Sequence, residues 1–136
     1  MATIPVRRRG TPAFHAAVLA GAFPLFLGAL LADYAYWRSH EIQWSNFASW
    51  LLVGAMVLAS IALLCELFAL FTGHRRLVPL LLVLATWIVG FLDALHHGRD
   101  AWAIMPTALL WSVLASVLAL AATWLAFSTL RAGGAR

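Results

Sequence analysis

Lysine is absent from this 136-residue chain, cysteine occurs once, and only five side chains are acidic. Charged residues make up 10% of the sequence and hydrophobic ones 64%, whereas an ordinary soluble domain has about a quarter of its residues charged. So little charge excludes a water-soluble fold of this length, because the core would lack a polar surface to cover it. The single Cys65 excludes an intrachain disulfide and a cysteine-built zinc site; within an apolar run it reads as a small buried residue. Neither a phosphate-binding glycine loop, a dinucleotide fingerprint nor a nucleophile beside its base is present, so the chain is not expected to be an enzyme by itself. All nine basic residues are arginine, which fits the coding bias of a GC-rich bacterium. The net charge of +4 does not imply nucleic acid, because the arginines flank apolar runs instead of sharing a face with interleaved aromatics.

What is there is hydrocarbon. Apolar runs over residues 13–33, about 47–72, 77–95 and about 103–130 are each long enough to cross roughly 30 Å of bilayer core at about 1.5 Å per residue. The chain therefore divides into a basic segment 1–12, a single four-span domain 13–130 and a tail 131–136, with connections 34–46, 73–76 and 96–102. The first run follows three arginines as a secretory signal does, but at about 20 residues it exceeds a signal core and is read as a retained span. Arg7, Arg8, Arg9, Arg75, Arg76, Arg131 and Arg136 fall on one side of the membrane and Arg38 and Arg99 on the other, which places both termini in the cytoplasm. The expected fold is all-α, an integral four-helix antiparallel bundle in a bacterial inner membrane, with the lipid bilayer as its first partner. Tyr34, Tyr36, Trp37, Trp44 and Trp102 are placed for an interfacial aromatic belt. Two small-residue stripes are candidates for close helix contact: Ala17, Gly21, Pro24 and Gly28 in the first span, and Ser112, Ala115, Ser116 and Ala119 in the fourth.

Ionisable groups within a span cost free energy in lipid, so they are expected to face the bundle and find a partner or a task. Glu66, Asp93, Asp33 and His15 fit that description. Glu66 and His15 lie in the cytoplasmic half, where Glu66 is expected to pair with His15, His74 or an inner arginine and so fix helix register; a proton or ion relay is the functional alternative. Asp93 and His97 are one turn apart, at i and i+4, and meet if the helix reaches that far. Such a pair suits metal ligation or proton handling, and His96, His97 and the loop residue His40 extend it to a candidate cluster, although polar residues at a membrane boundary are the simpler reading and no metal is assigned. Asp33, Arg38 and Trp44 echo Asp93, Arg99 and Trp102 in the two hairpins, at different spacings. The histidines also raise haem b, held by two imidazoles from different helices: His15 and His74 on the inner side, or His40 with His96 or His97 on the outer.

The run from His15 through Phe23-Pro24 to Asp33, the second span opening on Trp50-Leu51-Leu52 and Gly54 and containing Glu66, and the stretch Arg99-Asp100, Pro106-Thr107, Ser112 and Trp124 together resemble the bacterial membrane family catalogued as domain of unknown function 2231. The resemblance covers nearly the whole chain and implies a four-helix membrane protein, with His15, Pro24 and Asp33 matching the family's opening motif. Glu66 departs from the Asp more usual there, and Asp93 from an expected amide. Members of the family accompany membrane or periplasmic oxidoreductases, which implies an accessory redox role.

Three functions are therefore carried forward. The first is a non-catalytic accessory or anchoring subunit of a membrane-associated, redox complex with a membrane or periplasmic oxidoreductase partner. The second is a haem b electron-transfer subunit between a dehydrogenase and quinone. The third is a small proton, ion or solute transporter acting as a homo-oligomer.

Overall fold

The structure is a computed structural model that describes residues 13–73, 76–99 and 101–134. Among the described residues five helices follow one another: α1 Ala13–Ser39, α2 Ile42–Phe71, α3 Leu77–His97, the single turn α4 Ala101–Ile104, and α5 Thr107–Gly134. The four long helices are all apolar and long enough to cross a membrane. A backbone in hydrocarbon must satisfy its polar groups internally, and continuous helices do so.

Local chemistry sets where each helix stops. At the end of α1, His40 takes a left-handed φ of 58° and donates its N–H to the Tyr36 carbonyl at 2.7 Å. The Ser39 hydroxyl donates to Ala35 and accepts from the Glu41 N–H, so the expected connection of residues 34–46 shrinks to His40 and Glu41. The interfacial tyrosines and tryptophans in that stretch are too polar for the lipid core but remain helical. The fourth span likewise starts later than expected, at Thr107, because α4 and Pro106 intervene; a proline just before the first turn costs no helical hydrogen bond. At the other end of the molecule α2 closes on Gly73, whose φ of 84° suits glycine at a helix C-terminus.

α1 packs against α2 and α5, and α3 against the same two helices, which makes a square up-down-up-down bundle. We call the end where α1 begins and α5 finishes the near end, and the other the far end. Lipid supplies no hydrophobic drive for helices to associate, so close van der Waals contact must do so, and small residues permit it. The middle layer is accordingly Ala29, Ala55, Ala59, Ala115 and Ala119 around Phe26 and Leu52, and the near layer Ala16, Leu19, Ala62, Val83, Ala122 and Ala126. The large apolar side chains turn outward, as Trp50, Phe68 and Trp124 do.

The expected small-residue stripe of α1 is half right. Gly21 and Gly28 do face α2, where an added Cβ would stand 3.0 Å from Leu58 and 3.1 Å from Leu51. Ala17 and Pro24, however, are exposed, and the inward row is Ala16, Leu19, Ala22, Phe26, Ala29 and Ala32. Ser112, Ala115, Ser116 and Ala119 are all buried as expected. Tyr36 leaves the aromatic belt, being buried against Ile104 and Ala108, and Cys65 is half-buried. Since the Leu51 side chain can swing, Gly28→Leu is expected to cost about 1 kcal/mol of bundle stability; an unchanged melting profile in detergent would mean that this face does not carry the α1–α2 contact.

Candidate functional site

Two polar clusters sit in the bundle, one towards each end. At the far end α1 contributes Asp33, α3 contributes Asp93 and His97, and α5 contributes Ser112. The sequence prepares this convergence simply: each residue lies near the far end of its own helix and on its inward face, so depth and rotation agree. Asp33 and Asp93 are each 0% exposed. α3 does continue to His97, and the Asp93–His97 pair forms as expected, with Nδ1 of the ring 3.3 Å from Asp93 Oδ1.

That contact is not the strongest the ring makes. Nδ1 lies 3.0 Å from the Asp93 carbonyl oxygen, and Nε2 is 2.8 Å from Asp33 Oδ1 across the bundle. A carbonyl only accepts, so Nδ1 carries a hydrogen and the ring is locked with Nε2 facing Asp33. The Ser112 hydroxyl contacts Asp33 Oδ2 and also Asp93 Oδ2, at 2.9 Å. A hydroxyl has one hydrogen and cannot donate to both, so one of these contacts needs a hydrogen supplied by a carboxyl group or a cation in its place. Asp93 Oδ1 is buried and receives no hydrogen bond.

At the near end His15 and Glu66, both buried, approach to 3.3 Å. The expected partner of Glu66 is therefore found, although the contact lacks hydrogen-bond alignment and both His15 nitrogens stay unpaired in that sense. Arg76 and Thr129 share the cleft with them and are joined to each other, Arg76 Nη2 to Thr129 Oγ1 at 3.3 Å. The cleft has room for about one water molecule. About 18 residues of α1 separate His15 from Asp33, or roughly 27 Å along the axis, and the closely packed alanine layer fills the interval. Between the clusters Thr86 spends its hydroxyl on the Leu82 carbonyl at 2.8 Å, and the buried Ser116 hydroxyl has no partner.

Of the remaining candidates, His40 is exposed in the α1–α2 connection and His96 is half-buried. Neither joins the three groups that come within reach of one another, Asp33, Asp93 and His97. His74 lies outside the described residues. A haem ligand needs a free ring nitrogen facing a slot between helices. His97 turns its Nε2 to the Asp33 carboxylate, and His15 faces Glu66. His97 therefore does not face a second imidazole in an outer haem pair, and the inner pairing of His15 with His74 falls outside the described residues.

Ser112 is the member of the far cluster that sequence reasoning assigned to packing alone. Its level matches only with the observed helix ends, Asp93 four residues before the end of α3 and Ser112 five after the start of α5; a fourth span begun at residue 103 sets the serine too deep. The echo between the two hairpins also has a structural counterpart, because Asp33 and Asp93 meet on the same serine. No family model, curated protein or solved structure matches the chain.

Proposed function

We propose that this multi-pass membrane protein is a non-catalytic subunit that anchors or steadies a membrane-associated complex, of redox type if the resemblance to domain of unknown function 2231 holds. One observation carries this reading. The ionisable groups buried in the spans are turned on one another in two separate clusters, with a tightly packed apolar layer between them. Such a bundle supports rigid anchoring better than transport, because an ion has no chain of polar groups to follow across that layer. The near-end cleft, at about one water molecule, is likewise too small for an organic substrate.

The reading places the protein in a bacterial inner membrane with both termini in the cytoplasm. A reporter fused after Arg136 is expected to read as cytoplasmic, and periplasmic activity there would reverse the orientation. The functional test is native mass spectrometry of the tagged protein, released from its own membranes in mild detergent. An assembly of fixed stoichiometry containing a second, larger polypeptide is expected, and that polypeptide should leave the membrane when this chain is deleted. A 14.8 kDa monomer, or an assembly of this chain alone that carries solute flux lost in Glu66→Gln, would sink the reading.

A further inference from the structure

The far-end cluster has the parts of a cation site. We propose that Asp33, Asp93 and His97 bind one divalent transition-metal ion of the zinc class, with Ser112 positioning the two carboxylates. This goes beyond the anchoring role and does not depend on it.

Three observations converge. One ligand atom from each of the three residues falls within 4.8 Å of the others. Zinc bonds to imidazole nitrogen and carboxylate oxygen are about 2.0–2.2 Å, so tetrahedral donors stand roughly 3.4 Å apart; the wider separations close by about 1 Å, and the 2.8 Å contact of Nε2 with Asp33 Oδ1 opens by less than that. The set is also correctly tuned: a ring that gives its Nδ1 hydrogen to a backbone carbonyl presents Nε2 as a ligand, and this is the outer-shell arrangement usual for metal-bound histidine. The 3.0 Å contact to the Asp93 carbonyl supplies it. Finally, the cluster has unmet demand. Asp93 Oδ1 is fully buried and accepts no aligned hydrogen bond, its neighbour Nδ1 of His97 standing at 3.3 Å with its hydrogen donated to the Asp93 carbonyl, and the one Ser112 hydrogen faces two carboxylates. Two carboxylates and a divalent cation sum to zero charge, which is what a site inside an apolar bundle requires.

The donor set selects among ions. One nitrogen and two oxygens, with no sulfur, suit zinc or a neighbouring first-row ion and disfavour copper(I). Entry is from the far-end surface, since Gly98 and Arg99 immediately beyond His97 are exposed and terminal helical turns open most readily. The near-end pair offers no equivalent, because His15 and Glu66 form a two-residue contact with Arg76 on the same cleft.

The test uses the full chain purified in detergent, stripped with chelator and titrated with Zn²⁺ alone. One ion per chain is expected, with a rise in melting temperature. Asp93→Asn and His97→Ala should remove binding, Ser112→Ala should weaken it roughly 10–100-fold as loss of an orienting partner does, and Glu66→Gln should leave it unchanged. Because a variant can fail to fold, X-ray absorption of the unaltered zinc-loaded protein provides a second reading. One imidazole with carboxylate oxygens supports the site. Absence of saturable binding, a sulfur ligand, two or more imidazoles, or equal loss in Glu66→Gln would overturn it.

Discussion

Asp33→Leu is expected to lower the unfolding free energy of the chelator-treated bundle by about 3–5 kcal/mol, the cost of removing one partner from a buried ion pair. A lone hydrogen bond between membrane helices averages only about 0.6 kcal/mol, so the two magnitudes are well separated. The larger one applies because Asp33 is shared: it receives His97 from α3 and Ser112 from α5. Its loss leaves the buried Nε2 of His97 facing hydrocarbon, while the Ser112 hydroxyl keeps only Asp93. Replacing the whole set (Asp33→Leu, Asp93→Leu, His97→Leu, Ser112→Ala) should recover most of the loss, since apolar residues of similar volume often match a buried ionic cluster. Reversible unfolding in mixed micelles measures both. A single variant that loses no more than a lone hydrogen bond would show that the cluster does not hold the far end together.

Gly90→Leu is the second large effect. A Cβ at this position would lie 2.8 Å from Met56 Sδ and from Phe26 Cε1, and 2.9 Å from Phe26 Cζ. Phe26 is 1% exposed in the middle of the bundle, so its ring has less room to yield than the half-buried Leu51 beside Gly28. Overpacking of this kind costs about 1–3 kcal/mol and occasionally more, and the upper end is expected here. Phe26→Leu on the Gly90→Ala background should return part of the loss, giving a coupling energy of at least about 0.5 kcal/mol in a double-mutant cycle. Additive losses would mean that ring and glycine do not meet.

The four spans were legible because apolar runs of this length have one solvent to live in. Their ends were not. Tyr34, Tyr36 and Trp37 look like loop on a hydropathy scale, yet an interface rewards an aromatic helix turn as readily as a loop. The inward face of α1 was only partly legible: when Ala17 and Ala16 are equally apolar, hydrophobic periodicity says little about which one faces a neighbour. The two i, i+4 and cross-helix pairs of the site fared differently. Asp93 and His97 share a helix, so spacing alone joins them. Asp33 and Ser112 join only through the depth and rotation of three helices, and serine in a membrane helix ordinarily bonds its own carbonyl at i−4, as Ser49 and Ser60 do.

The order in which the far cluster closes follows from its sequence separation. Ser112 and Asp33 are 79 residues apart, so at about 5–20 residues per second the ribosome delivers the serine roughly 4–16 s after the acid. α1 and α2, linked by His40 and Glu41, are both complete in sequence before that interval ends. Throughout that interval Asp33 is a carboxylate whose α5 partner has yet to be made, His97 following it by 64 residues and Ser112 by 79. α1 is thus completed by α5, a helix synthesised well after it.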